Sequence, residues 1–314
     1  MLTGDRYPAI VCAAMDWIFL SIFSAAIFAV VSVLDKFILM RHAPSATTFI
    51  VLLGLLQLPA AAVMVLVNPP VLPATGAWAI AYASGLVWGV SLVLMFQVMS
   101  RHEVSRVLPV IATSPVYVAI MAMVFLDEDL TLAHWIAIAV TVTGAFMIST
   151  RPVRGSVAIV LGWSLGVLLV ASVLVAAAQL LGKIALNDMT LTSMFPFRSL
   201  GLATGCVALS FRHSTYSETR AMFSRIKSAG FMLLTEAIIA PFAALVTMWA
   251  IMLGPVSLAV TLMSSRPMFV FVLSSILSTR LLPMLGEPLD KATLTIKGMS
   301  IALIISGVIM ISIL

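Results

Sequence analysis

The sequence predicts an all-α integral membrane protein of ten transmembrane helices, arranged as two inverted five-helix repeats. Three observations predict it. Of its 314 residues 62% are hydrophobic and 9% are charged, where a soluble domain carries about 25% charge. The apolar residues fall into ten runs, each near the ~20 residues needed to cross a bilayer as helix. The second half of the chain also echoes the first at matching offsets.

The composition is the first of these. With a mean hydropathy of +1.19, too few polar side chains exist to clothe a water-soluble globule. Disorder is excluded too, since it requires low hydrophobicity and high charge. The 17 Lys and Arg exceed the 12 Asp and Glu by five, but their placement argues against a nucleic-acid partner. The first sixteen residues lack a basic leader and a small-residue cleavage site, so the first apolar run is expected to remain in the mature chain. Cys12 and Cys206 stand alone in apolar surroundings and predict neither a disulfide nor a metal site.

The ten runs cover about 17–40, 47–67, 76–99, 104–126, 132–150, 157–180, 193–211, 229–253, 256–279 and 294–314. Short turn-forming stretches such as RHAPSA, VNPPVLPATG, LDEDLT and MLGP separate them, with longer connections near 212–228 and 280–293. Trp17, Trp78, Trp135 and Trp163 lie near predicted helix ends, where an interfacial aromatic belt would place them. Trp88 lies near mid-helix.

The repeat emerges on shifting the chain by about half its length. A shift of 152 lays EVSRVLPVIATSPVYV (103–118) on PVSLAVTLMSSRPMFV (255–270), so that Val104, Ser105, Pro115 and Val118 meet Val256, Ser257, Pro267 and Val270. A shift of 147 lays VLDKFIL on LLGKIAL and pairs Lys36 with Lys183. These matches divide the chain into units 1–152 and 153–314. A unit with five spans ends on the opposite side from its start, so its copy must insert upside down, as in secondary transporters with a midplane site between the halves.

The loops after the odd-numbered spans, with the adjoining helix ends, hold Lys36, Arg41, Arg101, Arg106, Arg151, Arg154, Arg212, Arg220, Arg225, Lys227, Arg280, Lys291 and Lys297; the other face holds Arg6 and Lys183. The positive-inside rule sets the rich face in the cytoplasm and both termini outside, in a multi-pass protein of the cell membrane.

The fourth and fifth spans read EVSRVLPVIATSPVYVAIMAMVFLDEDLTLAHWIAIAVTVTGAFMIS. Here a helix with a mid-span Pro115 ends at the acidic turn Leu126-Asp127-Glu128-Asp129-Leu130-Thr131, and a small-residue helix with Gly144 follows. The second copy has Pro267, Leu285-Gly286-Glu287-Pro288-Leu289-Asp290 and Gly307. The pattern resembles the EamA-type repeat of the drug/metabolite transporter superfamily, over nearly all of 17–314 in two copies. That resemblance implies ten helices, two inverted halves and a central cavity for small solutes. The second acidic turn departs from the pattern by an insertion before it. The outside placement of the termini also departs from the inside placement expected of the family. The acidic turn is expected to cap the helix that follows it.

Ionised groups at the bilayer centre cost about 2.5–3.5 kcal/mol on insertion scales and usually have a function. Arg198, Glu236 and Arg266 stand out. At ~1.5 Å per residue, Arg198 and Arg266 lie roughly 20 Å from the basic face and Glu236 roughly 10 Å. Glu236 is read as the only carboxylate well inside a span. It could pair with one Arg to fix packing, hold a substrate cation, or carry a proton. An Arg fork suits carboxylate or phosphate, and two Arg against one Glu leave a positive charge in the core. Trp88, Gln97, Tyr117 and Gln179 are further mid-helix candidates, and Lys36 and Lys183 are matched positions near helix ends. Pro115, Pro241 and Pro267 each free a backbone carbonyl inside a span, to be satisfied by side chain, water or ligand.

These features predict a secondary transporter moving a small polar, anionic or zwitterionic metabolite by alternating access. The alternative on the same scaffold is a flippase for a lipid or lipid-linked anionic headgroup. No GxxxxGK[ST] loop is present for ATP, and no HExxH or GxSxG motif for an enzyme. The expected partners are a small-molecule substrate and membrane lipids, with no cofactor. Transport would couple to protons or run as exchange, in a monomer or homodimer.

Overall fold

The computed structural model describes residues 7–70, 73, 75–99, 110–149, 163–280 and 291–314, and every regular element among them is helical. In chain order these are α1 (Tyr7–Arg41), α2 (Ala46–Leu55), α3 (Leu58–Val67), α4 (Ala77–Met99), α5 (Ser114–Phe125), α6 (Leu132–Ser149), α7 (Trp163–Asp188), α8 (Leu191–Ser210), α9 (His213–Phe223) and α10 (Ile226–Met232). A π-helical turn, Leu233–Ile239, leads into α11 (Ala240–Leu253), followed by α12 (Val256–Met263), α13 (Arg266–Arg280) and α14 (Lys291–Ile313). Among the described residues eight segments are long and apolar enough to cross a membrane, against the ten expected. The α8–α9 pair, bent by 116°, makes a ninth only when the two are counted as one span, and α5 is a shorter apolar helix. The loops holding Arg101, Arg106, Arg151, Arg154 and the second acidic turn at 285–290 lie outside the described residues.

Breaks fall where proline dictates. α2 gives way to α3 just before Pro59, and α12 to α13 at Ser264–Ser265, just before Pro267. The same two-residue break occurs at Ala112–Thr113 before Pro115, 152 residues earlier. Proline cannot supply the N–H of a continuing helix but is tolerated in the first turn, so the chain restarts its helix there. Pro241 produces a different solution. The turn before it widens to the π form, and Glu236 rides on that turn.

Two helix crossings depend on absent side chains. α4 meets α8 through Gly85 and Gly89 against Gly201 and Gly205; a Cβ on Gly85 would overlap the Arg198 carbonyl, and one on Gly201 the Tyr82 carbonyl. Paired small-xxx-small faces of this kind let helix backbones approach closely in a membrane. α6 meets α14 in the same manner. Gly144 lies against Ser300 and Ile304, while Gly307 lies against Ala137 and Thr141.

Some side chains depart from the roles read in the sequence. Trp17 lies ten residues into α1, near the start of its apolar span, and its ring is buried against Gly254 rather than facing an interface; Trp78 and Trp163 are exposed as a belt requires. Of the acidic turn, Thr131 caps the helix that follows it, its hydroxyl accepting from the His134 N–H at 3.5 Å, but Glu128 does not. Glu128 instead accepts hydrogen bonds from the Val256 N–H (2.6 Å), the Ser257 N–H (3.3 Å) and the Ser257 hydroxyl, capping α12 across the bundle. Asp127 has a φ of 51°, in the left-handed region that favours glycine, and Gly286 holds the corresponding place in the second copy. Glu128→Gln should weaken this cap by about 1 kcal/mol and lower the unfolding midpoint of the purified protein.

The connection near 212–228 contains α9, a polar helix lying across the end of the bundle. Its Glu218 accepts from the hydroxyls of Ser45 and Thr48 at the start of α2, each at 2.5 Å. Those hydrogen bonds hold its carboxyl below the usual value of 4.5. The contact is therefore present above that value and lost as pH falls through the lowered one. Glu218→Gln should flatten the acid side of the stability–pH curve, measured by thermal unfolding across pH 3–6 (a range of roughly two units about the free carboxyl value).

Candidate functional site

A cavity of about 290 Å³ lies between the helices and is lined from both halves of the chain. Its polar lining falls into two groups, each positioned by a feature of the fold.

The first group surrounds Arg198 on α8. The close α4–α8 crossing brings Trp88 and Ser84 to it, and α7 brings Gln179. The guanidinium donates to the Ser84 hydroxyl at 2.6 Å, and at 3.4 Å to the Ala178 carbonyl and to Gln179 Oε1. It also stacks over the Trp88 ring with Cζ 5.0 Å from the centroid. Gly182 leaves the space that one of its nitrogens occupies. All these partners are neutral. Among the described residues no carboxylate lies in ion-pair contact with Arg198, although the side chain is buried.

The second group is acidic with one cation. Arg266 begins α13; its Nε donates to the Ser32 hydroxyl of α1 at 2.8 Å, and Cζ lies 5.1 Å from the Phe28 ring centroid. Glu236 on the π-turn and Asp35 on α1 both lie within its electrostatic reach, and the two carboxyl groups hydrogen-bond each other. One oxygen of each, Asp35 Oδ1 and Glu236 Oε1, is buried without a partner. Ser24 and Thr247, joined at 2.5 Å, also line the cavity, as do Gln57, Ser114, Ser199 and Ser264.

Of the residues singled out in the sequence, Arg198, Arg266, Glu236, Trp88 and Gln179 line this cavity. The other four stand elsewhere. Tyr117 packs on the apolar cluster around Val118 and Ala119. Gln97 and Lys36 are exposed toward the ends of their helices. Lys183 donates to the carbonyls of Ile251 (2.7 Å) and Gly254 (2.9 Å), capping the C-terminus of α11.

Asp35 corrects the reading of Glu236 as the only carboxylate well inside a span. It lies six residues before the end of α1, roughly 9 Å in at helical rise, the depth read for Glu236. Its neighbour Lys36 made the pair look like a helix end. The available signal was the face formed by Ser24, Phe28, Val31 and Asp35, whose spacing of four, three and four residues puts them on one side of a helix. All four line the cavity.

Chemically, the cavity offers an unneutralised guanidinium and an aromatic wall at one end, and a carboxyl pair beside a second guanidinium at the other. Residues 15–150, most of the first half, match the EamA-like transporter family. A stretch of 72 residues is 33% identical to an uncharacterized transporter in the cobO 3'region of Sinorhizobium sp, covering 23% of this chain and 51% of that protein. The match thus spans about half the length of that curated relative. One solved crystal structure superposes with a TM-score of 0.61 at 13% identity, covering 95% of this chain and 96% of its own. That likeness concerns the fold alone.

Proposed function

We propose, from the match of residues 15–150 to the EamA-like transporter family, that this chain is a secondary transporter for a small metabolite bearing an anionic group. Ten helices in two inverted five-helix units, 1–152 and 153–314, would move that solute by alternating access through the central cavity.

The observation that carries the substrate class is Arg198. A buried cation is costly unless paired, and here it faces a cavity with only neutral partners. A carboxylate or phosphate would accept two parallel N–H bonds from its fork and supply the missing charge. Glu236 and Asp35 surround Arg266 instead, so they leave Arg198 for the ligand.

Two observations support the inverted duplication. The breaks before Pro115 and Pro267 recur at a spacing of 152 residues. The α6–α14 crossing also maps onto itself. Gly144 against 300 and 304, shifted by 163, becomes Gly307 against 137 and 141. A contact that exchanges its two sides in this manner is what a twofold axis between copies produces. Among the remaining pairs, α4 on α7 mirrors α11 on α1, and α13 on α1 has its counterpart in α5 on α7.

A thermal-shift screen of metabolite classes on the purified protein should single out anionic compounds, since a ligand that binds the folded state raises apparent stability. The best compound should then be taken up by proteoliposomes without ATP. Stabilisation by cationic or neutral compounds alone would overturn the substrate class.

A further inference from the structure

The carboxyl pair invites a question that the anion site does not answer. Two ionised carboxylates cannot share a hydrogen bond, because neither has a proton to donate. The contact between Asp35 and Glu236 therefore requires one proton on the pair, as in other carboxyl dyads where like charges cannot both ionise. We propose that Asp35 and Glu236 together bind one exchangeable proton on the cavity wall, and that this proton is the coupling ion. The second part rests on the transporter reading above.

The surroundings fit such a site. The pair lines the cavity, so a proton can reach it by water when the cavity opens. Each carboxyl keeps one buried oxygen without a protein partner, open to rearrangement when the proton leaves. Among the described residues, the titratable groups facing the pair are Arg266 from α13 and the thiol of Cys206 from α8. The π-turn gives Glu236 a local backbone that is more adjustable than a straight helix, and such turns recur at functional sites.

Charge balance turns this site into a coupling device. With one proton on the pair, Arg198, Arg266 and the pair sum to +1; without it they sum to zero. A monovalent anion at Arg198 lowers each sum by one. The neutral states are therefore the empty deprotonated cavity and the cavity holding both anion and proton. The forms holding only one of the two carry a net charge, which is expensive within the membrane. Proton and anion accordingly favour each other's binding by the same factor, and they cross in the same direction.

The test uses the full-length protein in detergent, with infrared difference spectra recorded across an alkaline pH step. The expected result is a carboxylic-acid C=O band that disappears on the step, with release of about one proton per chain beyond what Asp35→Asn or Glu236→Gln releases. Because either variant could misfold, unmutated protein carrying 13C-aspartate or 13C-glutamate gives a second readout. The label on the protonated residue should shift this band, and the label on its partner should shift a carboxylate band that changes on the same step. Cys206→Ser should leave both unchanged, separating the carboxyls from the thiol. Absence of the acid band, a shift of it with neither label, or equal proton release by the variants would overturn the proposal. The readout needs no substrate. A protein that shows the band yet transports nothing retains the proton site and loses the transporter reading; uptake without the band does the reverse.

Discussion

Replacing Arg198 with alanine is expected to reduce uptake roughly 100-fold or more, the range seen when a buried charge partner is removed. The loss should fall on substrate binding, and the compound found by thermal shift should no longer stabilise the variant. Arg198→Lys keeps a positive charge but loses the planar fork and the stacking on Trp88, so it should restore only a minor part of the activity. Arg198→Met separates binding from folding. It fills the same volume without a charge, and replacing a buried ion with an apolar isostere is often neutral or stabilising. An Arg198→Met protein of normal or raised unfolding midpoint but without uptake would assign the guanidinium to the substrate. Normal uptake by Arg198→Met would remove the proposed anion site.

That site was only partly legible in the sequence. The apolar runs gave the helices because crossing a bilayer leaves the backbone few alternatives, and each predicted run contains a helix at its described positions. Arg198, Glu236 and Arg266 were visible because charge is rare in such runs. Trp88 and Gln179 were visible only singly. Their meeting around Arg198 depends on how deeply α4 and α8 cross, which is set by the tertiary match of two glycine faces. Asp35 was obscured by its neighbour Lys36, since an Asp-Lys pair reads as the wet end of a helix unless the whole face is traced. In the sequence Glu128 reads as a turn residue and Lys183 as a repeat-matched cation near a helix end. Their actual partners, the start of α12 and the end of α11, are distant in sequence and cannot be inferred from local pattern. Helix α9 was read as a connection because its polar composition gives it no apolar run.

The glycine crossing that builds the site should also be its most sensitive point. Gly85→Ala and Gly201→Ala each place a methyl group on a backbone carbonyl of the facing helix, Arg198 and Tyr82 respectively. Backbone cannot rotate aside as a side chain can, so the helices must separate along the whole crossing. Overpacking of this kind usually costs about 1–3 kcal/mol, and these two sites should lie at or above the upper end. The separation would also carry Arg198 away from Ser84 and Trp88, since the carbonyl that moves is its own. The expected outcome is a much lower unfolding midpoint together with loss of uptake. Gly166 and Gly298 provide the control, because a Cβ at either meets nothing within 4 Å. Alanine there should leave stability unchanged or raise it by about 0.4–1 kcal/mol through the unfolded state. If all four variants unfold alike, helix propensity rather than close approach governs these positions. If Gly85→Ala and Gly201→Ala unfold normally and transport normally, the α4–α8 crossing is looser than described, and Arg198 must be held by its own hydrogen bonds instead.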